Sequence, residues 1–246
     1  MKSGSPVEAR ARGSLGAVAL AEEVEGSAGL AEGVQEVEGR AGIGNIQIHM
    51  NKKVSIKKLE EEIKRLRRLA YKDELTELFN RRGFKEEANK FFHEIAGGRK
   101  RHRRKALNMS TISVIMIDAD YFKKINDEHG HDAGDLALRR IAKIILERVR
   151  EIDVVARWGG EEFIVALVGA TENDAAAVAD DIRENVQNDK LVYDCKSVPF
   201  TISAGVVSLS SATKTLDELV ASADKALYLA KNTGRNKVVK FSDLGR

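Results

Sequence analysis

The chain has 246 residues, with 41 basic against 38 acidic side chains, 43% hydrophobic residues and two prolines, enough to bury a core in one principal domain with an appendage. A single thiol, Cys195, excludes an intrachain disulfide scaffold. The longest apolar runs, such as 112–117, fall far short of the roughly 20 residues that cross a bilayer, which excludes a helical transporter. A reducing compartment, the cytoplasm, is the expectation, and the weakly apolar stretch 15–21 is too short for a convincing secretory signal.

Residues 1–50 hold 9 of the 20 glycines, a near-repeat of Glu-Val-Glu-Gly at 23–26 and 36–39, and four basic against seven acidic side chains. The remainder holds 37 basic against 31 acidic, so a near-neutral total conceals an acidic leader and a basic body. Such a leader does not pack, and residues 1–50 are expected to be a disordered leader, tag or extension, with Met50 as the natural start. From residue 51 the composition turns Lys-rich, and Ile56, Leu59, Ile63, Leu66 and Ala70 alternate steps of three and four. That heptad seam predicts a coiled-coil helix over 51–70 that joins two copies in parallel; the competing reading is a single amphipathic helix resting on its own domain. It breaks near Asp73-Glu-Leu-Thr, and a second helix begins around Arg81.

Strands and helices then alternate. The β-branched run 112–118 suits a buried strand, and Leu138, Ile141, Ile145 and Val149 give 135–150 one helical face. Runs 154–158 and 163–168 flank Gly159-Gly-Glu-Glu162, which predicts a β-hairpin. Ala175, Ala179, Ile182 and Val186 mark a helix, 200–209 a strand, Leu216 to Ala230 a helix and 238–241 a last strand. The fold class is α/β, in an α+β arrangement with a central sheet flanked by helices.

Four carboxylates occupy places that packing does not explain. Asp118 and Asp120 lie where a buried strand ends, and Glu161 and Glu162 at the tip of a turn. Acids converging from a strand end and a glycine turn suit a hard divalent cation, which takes oxygen ligands and keeps positions for water and phosphate. The competing reading is a solvated turn beside a strand terminator.

Read together, Arg157-Trp-Gly-Gly-Glu-Glu-Phe163, the segment 118–127 (Asp-Ala-Asp-Tyr-Phe-Lys-Lys-Ile-Asn-Asp), Gly130-His131 with Gly134-Asp135, Asp73-Glu-Leu-Thr-Glu-Leu-Phe-Asn-Arg-Arg82, and Ala223-Asp-Lys-Ala-Leu-Tyr-Leu-Ala-Lys231 with Gly234-Arg-Asn236 resemble the GGDEF-domain diguanylate cyclases of bacterial signalling. The resemblance covers about residues 71–243, within a domain expected over 71–246. It implies a fold like that of adenylyl cyclases and polymerase palm domains, with the hairpin beside the strand ending in Asp118. The implied reaction condenses two GTP into cyclic di-GMP and two pyrophosphates, with Mg²⁺, or Mn²⁺ in its place, lowering the cost of an attacking 3′-oxyanion. The same resemblance makes Asp118, Glu161 and the Ala119 carbonyl metal ligands, and Asp118, Glu161 and Glu162 catalytic, with Glu162 a second-metal ligand or proton acceptor.

By the same carry-over Asn126 and Asp135 read guanine, whose N1–H and amine a carboxylate accepts and adenine does not offer. Phe122, Lys123, Gly159, Gly160, Lys231 and Arg235 complete the implied substrate site, the two cations on the triphosphate. On residue chemistry alone, Asn126 and Asp135 read as helix or turn caps, and Lys231 and Arg235 as cations on a helix C-terminal dipole. Arg150-Glu-Ile-Asp153, nine residues before Gly159, matches the family's inhibitory product site, although Arg-x-x-Asp alone reads as a surface ion pair.

Several features fall outside that pattern. Glu77 stands where the family most often has glycine, which is expected to alter a turn without removing a ligand. His129 and His131, two residues apart in a glycine-rich loop, lack a third ligand for zinc and read as structural, while Arg183, which could add a further arginine to the product site, reads as a helix-surface arginine. The basic run 99–105 could grip nucleic-acid phosphates or an anionic membrane, but with no aromatic side chain interleaved it reads as a solvated loop and no nucleic-acid partner is expected; the short apolar runs exclude a membrane span. Because each site holds one GTP and the reaction needs two, the expected assembly is a homodimer through residues 56–70 that is inhibited by its own product. The alternative is a silent GGDEF module that binds GTP or cyclic di-GMP as an effector.

Overall fold

The computed structural model describes residues 44–96 and 110–244. The expected leader below residue 44, including the stretch 15–21, and the basic run 99–105 lie outside the described residues. The elements are α1 (Gly44–Tyr71), α2 (Arg81–Ala96), β1 (Ile112–Ala119), α3 (Phe122–His129), α4 (His131–Arg148), β2 (Val154–Arg157), β3 (Glu162–Val168), α5 (Glu172–Asn188), β4 (Val192–Tyr193), β5 (Lys196–Ser197), β6 (Ile202–Ser208), α6 (Leu216–Asn232) and β7 (Val238–Lys240).

Five strands form one sheet in the order β2-β3-β1-β6-β7. β1 lies at its centre, antiparallel to both β3 and β6, while β6 and β7 run parallel. All eight residues of β1 are buried, because helices cover both faces, which is why its sequence is an unbroken apolar run instead of an alternation. Period two still sorts its side chains. Ile115, Ile117 and Ala119 share one core with Leu138, Ile141 and Ile145 of α4 and Ala179 and Ile182 of α5. Ile112, Val114 and Met116 share the other with Phe84 and Phe92 of α2 and Leu219 and Leu227 of α6. The expected central sheet flanked by helices, with the hairpin beside β1, is the observed architecture.

β6 approaches α6 so closely that a Cβ on Gly205 would meet the Leu227 amide nitrogen at 2.1 Å and the Ala223 carbonyl oxygen at 2.2 Å. Both are backbone atoms, so relief requires moving a helix against a sheet. Gly205→Ala is expected to cost about 3 kcal/mol of unfolding free energy, read as a lower denaturant midpoint at unchanged slope.

Several expectations change. The helix placed at 135–150 begins at His131 and follows a separate short helix, α3. His129 and His131 therefore end one helix and begin the next, instead of lying in a glycine-rich loop, with Gly130 between them at φ 84°. α1 begins at Gly44, ahead of the expected residue 51. The last strand stops at Lys240, and Phe241 opens a short 3₁₀ turn. Cys195 is free and exposed, in the turn of the unanticipated β4–β5 hairpin.

Glu77 takes φ 59°, which shows why a glycine suits this turn. The glutamate adopts the same left-handed backbone and pairs with Arg68 across exposed surface. Because that pair is solvent-screened, Glu77→Gly is expected to stabilise the domain by about 0.5–1 kcal/mol, seen as a higher melting temperature.

Candidate active site

The antiparallel register of β1 and β3 places Asp118 directly opposite Glu162, with Glu161 one step earlier accepting the Ala119 amide hydrogen through its carbonyl at 3.2 Å. Like charges directly opposite one another destabilise a sheet, so these acids are not there for folding. Asp118 is almost fully buried, and its Oδ2 meets Lys231 Nζ of α6 at 2.7 Å. Burial pushes its carboxyl up to about 6; Lys231 pulls in the other direction, and Glu161 and Glu162 add to the rise. Asp118 thus has one ammonium partner and two acidic neighbours.

All the donors here are oxygens, which fits Mg²⁺ or Mn²⁺ and not a soft metal. Among the described residues no group of three or more His, Cys, Asp or Glu side chains is gathered to hold a metal by itself. A cation at Asp118 and Glu161 therefore needs a main-chain carbonyl such as that of Ala119, water and substrate phosphate, the partial shell that Mg²⁺ accepts. His129 lies beside Glu128 and takes no part.

Asp120, grouped with Asp118 in the sequence, serves otherwise. Its buried carboxylate accepts from Thr201 Oγ1 at 2.8 Å, Ser203 Oγ at 2.7 Å and the Asn236 amide at 3.0 Å. It anchors the loop after α6 to the end of β1 instead of offering oxygens to a cation. Arg183 reaches the same loop through Asn236 Oδ1 at 3.3 Å and is mostly buried, so it is a structural tie and not a free surface arginine.

The glycine pair behaves differently from the expected hairpin turn. Neither Gly159 nor Gly160 has a positive φ. Gly159 instead leaves room for an acid, since a Cβ there would lie 2.5 Å from Glu162 Oε2. Arg157 braces the turn, donating to the Gly160 carbonyl through Nε at 3.0 Å and to both Asp73 oxygens at 3.2 and 3.3 Å. Burial of Asp73 raises its pKa, but the Thr76 hydrogen bonds and Arg157 outweigh this and hold it below the usual carboxylate range. The Asn80 amide donates to the Ala70 carbonyl at 3.0 Å and the adjoining Phe79 carbonyl accepts the Arg157 amide at 2.8 Å, so the last turn of α1 is wired to the hairpin. Trp158 packs edge-on to Phe84 and under Arg81, fixing the hairpin base on α2.

Asn126 lies inside α3 and Asp135 inside α4, so neither is a cap. A Cβ on Gly134 would fall 2.0 Å from Asn126 Oδ1 and 3.0 Å from Phe122 Cζ, which locates Phe122, Asn126 and Gly134 in one contact next to Asp135. Lys123 is exposed on the same short helix.

Arg150 and Asp153 do meet. Arg150 Nη2 lies 3.1 Å from Asp153 Oδ1 and donates to the Val168 carbonyl at 2.7 Å. The Asp153 carboxylate is only 1% exposed and also accepts from the Val168 and Arg150 amides, each at 2.9 Å. Of the pair, only Arg150 offers an open face, at the rim of a cleft of about 260 Å³ walled by Phe79, Leu146 and Val149 and reached by Lys72.

The roles of Asp120, Arg157 and Lys231 towards their neighbours had no periodic signal in the sequence. The pairing of Asp73 with Arg157, which lie 84 positions apart, is a product of the fold alone. No helix among the described residues is long and apolar enough to cross a membrane.

Residues 70–237 match the family model described as diguanylate cyclase, GGDEF domain. Diguanylate cyclase A of Treponema denticola is 48% identical over 128 residues, 52% of this chain and 34% of that protein. The response regulator PleD of Caulobacter vibrioides is 39% identical over 139 residues, 56% of this chain and 31% of its own length. The chain thus spans about a third of the length of the curated relatives it matches. Among solved structures, the coiled coil and GGDEF domain of DgcB from Caulobacter crescentus in complex with c-di-GMP aligns at TM-score 0.70 and 27% identity, covering 79% of this chain and 97% of that one. The active GGEEF domain of a diguanylate cyclase from Vibrio cholerae aligns at TM-score 0.57 and 31% identity, covering 66% and 96%. With its family match spanning strands β1, β2, β3 and β6, the hairpin and the carboxylate centre, this chain belongs to the GGDEF family of diguanylate cyclase domains.

Proposed function

We propose that the chain condenses two GTP into cyclic di-GMP and two pyrophosphates, one GTP on each protomer of a homodimer. The observation that carries this reading is the convergence of Asp118, Glu161 and Glu162 across the β1–β3 register, against the cost of apposed charges. Asp118, Glu161 and the Ala119 carbonyl would hold Mg²⁺. When bound, that ion supplies positive charge that lowers the pKa of the ribose 3′-hydroxyl and neutralises the leaving pyrophosphate.

The chain's own residues do the rest. Glu162, resting over Gly159, is the acceptor for the 3′-hydroxyl proton. Lys231 balances the Asp118 charge in the free protein and passes to substrate phosphate once that charge is otherwise met. Arg235 meets the outer phosphates, with Lys123 and the Gly159-Gly160 backbone beside them. Asn126 and Asp135 accept and donate on the guanine edge over Phe122, a pattern that adenine does not match.

The homodimer forms through the α1 seam. Leu59, Ile63 and Leu66 are 63%, 43% and 52% exposed, so no described part of their own domain covers them. Ala70 turns inward instead, half-buried where Asn80 grips its carbonyl. The coiled coil of the DgcB structure supports the same reading. Cyclic di-GMP inhibits at Arg150, whose guanidinium can bond a phosphate or stack on a base along the apolar cleft wall, while Asp153 holds the arginine in place. The proposed domain division is a leader, the α1 coiled coil and a cyclase domain from about residue 71.

Purified protein given GTP or ATP with Mg²⁺, its products identified by mass, tests the guanine assignment. GTP is expected to yield cyclic di-GMP and two equivalents of pyrophosphate, and ATP no cyclic dinucleotide. Equal turnover of ATP would contradict the roles of Asn126 and Asp135.

A further inference from the structure

Two residues near the carboxylate centre share a backbone conformation that side chains seldom adopt. Tyr121, just before α3, has φ 55°, and Arg235, after α6, has φ 60°, followed by Asn236 at 47°. Left-handed backbone at residues with a Cβ persists only where the surroundings over-determine it. Here they do: Asp120 holds the Asn236 amide at 3.0 Å while bonding Thr201 and Ser203, and the Arg235 amide donates to the Ala230 carbonyl at 3.0 Å. The outcome is a specific contact. The Arg235 guanidinium carbon lies 4.5 Å from the centroid of the Tyr121 ring, with Nη1 3.4 Å from the phenol oxygen. Tyr121 is 61% exposed, so the stacking is not a by-product of core packing. Among the described residues Arg235 has no carboxylate partner, whereas Lys231 is paired with Asp118.

We propose that Tyr121 is a positioning residue that holds the Arg235 guanidinium towards the substrate phosphates without neutralising it. The inference rests on the reading of Arg235 as a triphosphate contact. A carboxylate would restrain the arginine but would also compete with phosphate for its charge and its N–H donors. An aromatic face restrains the guanidinium plane and leaves the in-plane donors free. Holding a phosphate-binding group in place acts on ground state and transition state alike, so the effect belongs in KM and not in kcat.

The test measures binding of α,β-methylene GTP with Mg²⁺ by calorimetry, and KM and kcat for GTP, in the full chain. Tyr121→Ala is expected to weaken analogue binding and raise KM by about two- to fivefold with kcat within twofold, the range of a surface cation–π contact. Tyr121→Phe, which keeps the ring, restores most of the affinity. In an Arg235→Ala background, Tyr121→Ala has no further effect, because the contact is already gone. Additive losses in the double variant, a Tyr121→Phe as weak as Tyr121→Ala, or unchanged analogue binding in Tyr121→Ala would each overturn the inference. A wild type that binds the analogue, shows the coupling and yet makes no cyclic di-GMP would fail the cyclase reading while leaving the clamp intact. Unchanged binding in Tyr121→Ala within an active cyclase would do the reverse.

Discussion

Glu161→Ala is expected to lower cyclic di-GMP formation at saturating GTP and Mg²⁺ by about a thousandfold or more, since a lost metal ligand removes several kcal/mol of charge stabilisation. Asp118→Asn is expected to match it in turnover while stabilising the metal-free fold. The folded protein holds the Asp118 carboxyl at about 6, above its ordinary value of 3.8, so folding favours the protonated acid. That destabilisation is fully present above about pH 6 and disappears as pH falls below 3.8. Metal-free Asp118→Asn is therefore expected to melt at a higher temperature than wild type at pH 8, with the gap closing steadily towards pH 4. Thermal melts in chelator across that range check the sign. A variant less stable than wild type at pH 8 would mean that the Lys231 pair outweighs burial and the neighbouring acids.

The second large effect belongs to the seam of α1. With Leu59→Asp and Leu66→Asp together, the rate per protomer at low micromolar protein is expected to fall at least tenfold and to recover as protein concentration rises. Linking two half-sites supplies an effective concentration near millimolar, which free domains at micromolar lack. Both side chains are exposed in the single chain, so the substitutions cost little folding free energy, and sedimentation alongside kinetics separates dissociation from unfolding. The seam connects to the site in steps: Asn80 grips the Ala70 carbonyl, the adjoining Phe79 carbonyl accepts the Arg157 amide at 2.8 Å, and the Arg157 side chain bridges Asp73 and the Gly160 carbonyl. Unchanged turnover at dilute protein would remove the seam from the mechanism.

The parts of this fold that were legible in the sequence carry a period or a run. β1 was visible because five of its eight residues are β-branched or long and apolar, and burial on both faces leaves no polar interruption. α4, α5 and α6 each place small and aliphatic residues on a single face. α3 escaped because only Phe122 and Ile125 are buried in its eight residues, too few to set a helical period. β4 and β5 have two residues each, too short to alternate. In the site, Asp118, Glu161 and Glu162 were legible as acids that packing does not require, and the β register brings them together. Asp120 looked like a fourth, because sequence does not tell that Thr201, Ser203 and Asn236 would close around it. Gly159 was attributed to turn geometry, yet it makes space for Glu162, a demand that exists only once the hairpin has formed.

The most direct measurement is product identification by chromatography and mass, using protein stripped of bound nucleotide and incubated with GTP and Mg²⁺ beside Glu161→Ala. If the carboxylates across β1 and β3 form the catalytic centre, wild type makes cyclic di-GMP and the variant makes none detectable. Equal product from both, or none from wild type at protein concentrations high enough to force dimerisation, would contradict that assignment.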